Sequence, residues 1–258
     1  MEQQPSDEHP EDRTSELVTE AQHEGAAARV PWYRAVRRGR LLFGVYALLL
    51  CLFGLLAWFV SVHPVLSLDI TITRELQANQ APWLRATMLA VSYMGSTPLL
   101  AALVVLAAII FWMIRLRLEA IMIVGLSGTS ALLNELIKVI VHRPRPTTRL
   151  VEVLQPAAGA SFPSGHVMSY IAFWGLLFSF GIILFKGNRG FRLALLLVPA
   201  LFVVLVGPSR IYLGDHWASD VLGAYLIGGA ELGLALSLYL KLKEKGVLAA
   251  KRPEKTPP

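Results

Sequence analysis

LLFGVYALLLCLFGLLAWFVSV, residues 41–62, runs for 22 residues without a charge. A helix that crosses the hydrocarbon of a bilayer needs about 20 predominantly apolar residues, and this run meets that length. A secretory signal would place a shorter apolar region near the start, with a small-residue cleavage site after it. Here the run opens only at Leu41 and no such site follows, so it is expected to remain in the mature protein. Working outward, further apolar runs fall at about 97–114, 118–141, 166–185, 193–206 and 217–239. The expected fold is all-α, a polytopic bundle of six transmembrane helices. Between the first two runs, residues 63–80 are more polar. WLRATMLAVSYMGS (83–96) reads as a half-buried helix or a lead-in to the second span.

Composition agrees. Of 258 residues, 55% are apolar and only 16% charged, with a mean hydropathy of +0.54. Soluble domains carry about 25% charged residues, so an ordinary soluble enzyme, a disordered chain and a collagen-like chain are excluded. The single cysteine, Cys51, rules out an intrachain disulfide and a cysteine metal cage. Inside an apolar run it reads as a small buried hydrophobe. A net charge of +6 could suit nucleic acid, but in a membrane protein it belongs to loops beside anionic lipid, and no nucleic-acid partner is expected. Residues 1–30 are acidic, polar and poor in aromatics, as in a disordered cytoplasmic tail. Residues 31–243 form the expected six-span domain and 244–258 a basic cytoplasmic tail.

Lysine and arginine set the orientation. Arg34, Arg37, Arg38 and Arg40 precede the first run, and Arg115 and Arg117 join the second to the third. Lys186, Arg189 and Arg192 join the fourth to the fifth, and six basic residues from Lys241 to Lys255 follow the sixth. With six spans these regions share one side, the cytoplasm. Segments 63–96, 142–165 and 207–216 then lie outside, and their basic residues need another reason to be there.

That reason is chemistry. KVIVHRPRP (138–146) carries Lys138 and Arg145; SFPSGHVMS (161–169) carries Ser164, Gly165 and His166; SRIYLGDHWASD (209–220) carries Arg210, His216 and Asp220. Three cations aimed at one place make a cradle for phosphate, whose oxygens arginine matches bidentately. Ser164 and Gly165 open a helix, where free N–H groups favour an anion. His216 and Asp220, four apart, share a helix face, so the carboxylate can fix the imidazole tautomer and free its other nitrogen for attack. His166 supplies a second imidazole for acid–base work. Taken singly, each has an ordinary reading: Lys138 as an i,i+3 partner of Glu135, Ser164 as an N-cap, the arginines as interfacial cations. Together they suggest phosphoryl transfer through a histidine, with no metal and no cofactor.

These segments resemble the three-part signature of the type 2 phosphatidic acid phosphatase superfamily: K-x6-R-P, P-S-G-H and S-R-x5-H-x3-D. Here they read Lys138 to Arg145-Pro146, Pro163 to His166, and Ser209-Arg210 to His216 and Asp220. Arg143-Pro144 falls two residues short of the spacing, so the motif role goes to Arg145. The resemblance implies that His216 attacks phosphorus to form a phosphohistidine, with Asp220 orienting it. His166 would protonate the leaving oxygen and then activate water. Lys138, Arg145, Ser164, Gly165 and Arg210 would hold the equatorial oxygens. Vanadate-dependent haloperoxidases use the same pocket, but six apolar spans favour a lipid substrate: phosphatidic acid, phosphatidylglycerol phosphate, diacylglycerol pyrophosphate or polyprenyl pyrophosphate.

Glu231, within the sixth run, should point into the bundle as a paired or protonated group. Gly229-x3-Gly233 matches a close-packing motif. A phosphotransferase using the same intermediate is the nearest alternative activity. A lipid transporter is the rival of another class, but it would show internal repeats with broken spans, and none is visible.

Overall fold

The computed structural model describes residues 32–185 and 189–248. The expected 1–30 tail, Lys186 and the tail from Ala249 onward lie outside the described residues. Among the described residues eight helices follow one another: α1 (Trp32–Val62), α2 (Ser67–Gln77), α3 (Pro82–Met94), α4 (Thr97–Met113), α5 (Arg117–Val141), α6 (Gly165–Leu184), α7 (Arg189–Tyr212) and α8 (Ala218–Glu244). No strand occurs among the described residues. Five of these, α1, α5, α6, α7 and α8, are long and apolar enough to cross a membrane alone.

The second expected span is different. α4 has only 17 residues and reaches spanning length together with α3, from which it is bent by 59°. The break has a local cause. Pro98 near the start of α4 has no N–H to continue the ladder from α3, and Gly95 ends α3. A side chain at Gly95 would lie 2.7 Å from the His166 ring and closer still to Tyr170, so this bend sits directly against the fourth span. The two halves have separate partners: α3 packs on α7, and α4 leans on α5. The polar 63–80 stretch contains α2, a short helix lying over the end of the bundle against α7 and α8.

α7 also departs from expectation. Gly207-Pro208 suggests an end near Val206, yet the helix continues through Pro199 and Pro208 to Tyr212. In a packed apolar bundle neighbouring side chains and backbone compensate for the missing N–H. Side chains also dock this stretch on its neighbours: Ser209 Oγ donates to Met88 O at 2.7 Å and Tyr225 Oη to Val203 O at 2.6 Å. Gly207 admits Tyr225 and Val221 at distances a Cβ would occupy. Ser209 and Arg210 are therefore rigid helical positions rather than loop residues.

α6 is the central helix, touching α5, α7 and α8. A π-helical turn at Ile171–Gly175 interrupts it, where Ile171 fits against Gly228 and Gly175 against Leu232. Two apolar clusters surround it. One, around Phe162, Met168, Tyr170, Val206 and Ala224, underlies the polar end; the other, around Ile123, Leu176, Phe180 and Tyr239, fills the far end. There Glu119 accepts from Tyr239 Oη at 2.7 Å and Lys243 Nζ at 2.8 Å, tying α5 to α8. α1 buries little and presents Leu41, Phe43, Leu48, Leu55 and Trp58 outward, the pattern of a helix whose solvent is lipid. Cys51 corrects the sequence reading: it is exposed on that helix instead of buried. Of the close-packing glycine pair, Gly233 receives Tyr46 of α1, whose hydroxyl donates to Gly233 O at 2.9 Å, while a Cβ at Gly229 would meet nothing within 4 Å. Glu231 accepts from Thr129 at 3.1 Å, as a paired intramembrane group should.

Candidate active site

The three motif segments meet at one end of the bundle, joined through their backbones. Ser161 N donates to Arg143 O at 2.8 Å and Ser164 N to Asp220 O at 3.2 Å. Trp217 Nε1 donates to Pro144 O at 3.1 Å. From α5, Asn134 Nδ2 reaches Pro163 O at 3.2 Å and Met168 Sδ at 3.3 Å, pinning the turn that opens α6. Gly165 is required there: a Cβ would stand 2.9 Å from Asn134 Oδ1 and 3.7 Å from Lys138 Nζ. Lys138 is thus at the mouth of this turn, while its ammonium pairs with Glu135 at 2.8 Å. Ser164 is fully buried and its hydroxyl has no partner among the described residues, so its hydrogen-bonding capacity is available to a ligand.

His216 follows a sharp turn after α7. Gly214, at φ +70°, makes that turn in the left-handed region, and its Cα faces Glu152 O so closely that no side chain fits. The imidazole is buried between two groups of opposite sign. Nδ1 lies 3.6 Å from Asp220 Oδ2, and Nε2 lies 3.4 Å from Arg145 Nη1. An arginine N–H only donates, so Nε2 is the acceptor and Nδ1 carries the proton toward Asp220. Burial pushes the His216 pKa down to about 4; Asp220 opposes this, while Arg210 and Arg145 add to it. At neutral pH the ring is uncharged and its Nε2 lone pair is free.

Arg145 is held by carbonyls. Nε donates to Ala158 O and Gly159 O, both at 3.2 Å, and Nη1 to Asp215 O at 2.8 Å. Burial lowers its pKa, with Asp220 and Glu135 opposing. Arg210, in the last turns of α7, is buried against the Asp215 carboxylate, Ser92 Oγ and Gln155. Asp215 also reaches Arg145 Nη1 at 3.4 Å, so one carboxylate serves two cations of the cradle. His166 is half-buried on the first turn of α6, near enough to His216, Arg145, Arg210 and Lys138 for each to act on it electrostatically. All eight residues singled out from the sequence therefore converge.

Sequence reasoning missed others. Asp215 precedes His216 within the third motif, and its type alone could have drawn notice. Ser92 and Gln155, which hydrogen-bond at 3.0 Å beside Arg210, come from α3 and the 142–164 loop and carry no sequence signal. The largest omission is Arg143. It is 1% exposed and binds Asp220 Oδ1 at 2.5 Å, Asp69 Oδ2 at 2.7 Å, Ser219 Oγ at 2.7 Å and Pro64 O at 2.9 Å. The off-register arginine of the RPRP pair lies behind the aspartate, and Arg145 lies in front of the histidine. No group of three or more His, Cys, Asp or Glu side chains able to hold a metal occurs among the described residues.

A helical membrane bundle with a cationic cradle around a histidine–aspartate pair at one end defines a site suited to an anionic group. Residues 119–244 match the model of the PAP2 superfamily. It is 29% identical to phosphatidylglycerophosphatase B of Bacillus subtilis over 189 residues, 73% of this chain and 89% of that protein. It is 33% identical to undecaprenyl-diphosphatase BcrC of the same organism, over 49% of this chain and 61% of that protein. Its fold is similar to the crystal structure of a transmembrane PAP2-type phosphatidylglycerolphosphate phosphatase from Bacillus subtilis. The TM-score is 0.67 at 26% identity, covering 76% of this chain and 96% of that one.

Proposed function

We propose that this protein is an integral-membrane lipid phosphatase that hydrolyses a phosphomonoester or pyrophosphate of a lipid through a phosphohistidine, without a metal. The observation that carries the proposal is the placement of His216, with Nδ1 toward a buried carboxylate and Nε2 toward the Arg145 guanidinium. Nε2 attacks phosphorus and the lipid oxygen departs on the opposite side, protonated by His166. Lys138, Arg145, Arg210, the Ser164 hydroxyl and the Gly165 N–H hold the three equatorial oxygens, where charge persists through the transition state. Asp220 stabilises the charge that His216 gains. His166, now a base, activates water to cleave the P–N bond and release phosphate. The relatives act on phosphatidylglycerophosphate and undecaprenyl diphosphate by name, and both chemistries fit a cradle that grips a terminal phosphoryl group.

The proposed topology counts the bent α3–α4 pair as one span, giving six, with residues 31–243 as the membrane domain between two cytoplasmic tails. The active site then faces away from the cytoplasm, because Arg115, Arg117, Arg192, Lys241 and Lys243 gather at the opposite ends of their helices. The test is phosphate release by purified protein in detergent, across phosphatidic acid, phosphatidylglycerol phosphate and polyprenyl pyrophosphate. Activity should persist in EDTA, be inhibited by vanadate, which can take the five-coordinate geometry, and vanish in His216→Ala. A strict requirement for one divalent ion, or full activity of His216→Ala, refutes it.

A further inference from the structure

Asp69 is a buried carboxylate that the reaction does not use. It sits in the first turn of α2, 2% exposed, and accepts from Arg143 Nη2 at 2.7 Å, from Ser219 N at 2.9 Å and from Ser219 Oγ at 2.6 Å. Arg143 continues the chain to Asp220 Oδ1 at 2.5 Å, and Asp220 Oδ2 accepts from Trp217 N at 2.9 Å while facing His216. A guanidinium bound to Asp220 alone would cancel the charge that must stabilise the histidine as it becomes cationic. A second carboxylate on the same guanidinium leaves the group of three with a net charge of −1, directed at His216.

We infer that Asp69 is a positioning residue for the nucleophile: through Arg143 it fixes the Asp220 carboxylate and restores the negative charge that His216 needs in the transition state. This rests on the phosphohistidine reading above. Neither Asp69 nor Arg143 touches the pocket that would hold phosphate, so their effect falls on the chemical step and spares binding. The other charged or titratable groups around His216 are Arg145 from the loop after α5, Arg210 on α7, Asp215 on the preceding turn and His166 on α6. Lys138 on α5 faces His166. None of these bonds to Asp69, so a change at Asp69 reaches His216 by way of Arg143, Ser219 and Asp220.

The experiment compares Asp69→Asn, Asp69→Glu and Ser219→Ala with the wild type in detergent, with sites counted by vanadate binding. For Asp69→Asn, kcat per site should fall about tenfold or more, with KM and vanadate inhibition within about threefold of wild type. The group of three then becomes neutral, the imidazolium is less favoured, and the acid limb of the pH profile should move to lower pH. Asp69→Glu keeps the charge and should keep the limb in place. Ser219→Ala, a smaller change that tests the same path if Asp69→Asn does not fold, should lower kcat about two- to tenfold at unchanged KM. An unmoved acid limb with wild-type kcat in Asp69→Asn, or unchanged kcat in Ser219→Ala, overturns the inference. If the wild type hydrolyses lipid phosphate and His216→Ala does not, such a failure leaves the proposed function standing; if the wild type releases no phosphate, both fall.

Discussion

Replacing Asp220 by asparagine exchanges one oxygen for an NH2 group and should nearly silence the protein. The carboxylate is fully buried, with Oδ1 on Arg143 at 2.5 Å and Oδ2 on Trp217 N at 2.9 Å. In Asp220→Asn the amide oxygen has one strong claimant, the Arg143 guanidinium. Once the oxygen turns there, the NH2 faces Trp217 N–H and His216 Nδ1. An amide N–H pointing at Nδ1 makes that nitrogen an acceptor and moves the ring proton to Nε2, the atom that must attack. The proton then also opposes an Arg145 N–H at 3.4 Å. A tautomer error of this kind costs about 10³–10⁴ in kcat, or about 4–5.5 kcal/mol. The carboxylate is also the group that opposes burial of the His216 charge, so its loss takes the histidine pKa below about 4. KM should stay within about threefold, since Asp220 contacts none of the phosphate-cradle side chains. The assay is rapid quench with an aryl phosphate carrying labelled phosphorus, following the alkali-stable protein adduct. Adduct formation at more than a tenth of the wild-type rate, or a loss confined to KM, would refute the reasoning.

His166→Ala should still form the adduct from an aryl phosphate but hydrolyse it slowly, with a loss of about 10²–10⁴-fold that grows as the leaving group worsens; an adduct in His216→Ala and none in His166→Ala would exchange the two roles. Gly214→Ala places a methyl 2.0 Å from Glu152 O at φ +70°, so it should destabilise the protein by at least about 1–2 kcal/mol and disable His216, seen as a lower Tm in detergent and lost activity. A wild-type Tm would show that the turn yields. In a Cys51→Ala background, a membrane-impermeant thiol reagent on intact cells should label a cysteine at Thr148 and spare one at Lys245. The reverse pattern would invert the proposed orientation.

Much of the site was legible because its logic is local or carried by residue type. His216 and Asp220 declare their relation by a spacing of four, although the expected shared helix face is not formed: His216 stands in the turn before α8 and only Asp220 lies on the helix. The cations stand out by opposing the charge bias of their side of the membrane. Arg143 was not legible for a physical reason. Its meaning depends on Asp69, 74 residues earlier, on a short helix that the sequence reading took only as a polar stretch. The end of α7 was misjudged for a related reason, and the lead-in reading of 83–96 held without foreseeing the bend between α3 and α4. A proline or glycine reads as a stop in an isolated chain, whereas here Met88, Tyr225 and Tyr170 decide from outside the segment whether the helix continues or turns.

The relay from Asp69 to Asp220 also sets an order on biosynthesis. Asp69 and Ser219 are separated by 150 residues, which a ribosome adds in roughly ten to thirty seconds at about 5–20 residues per second. Arg143 follows Asp69 about halfway through that interval, and until its end the two lack the carboxylate that completes the group. The catalytic centre is therefore assembled by the arrival of α8, the final helix to be inserted. A chain interrupted anywhere before it is released without enzymatic capacity, so a cell is spared partially built copies acting on its own lipids.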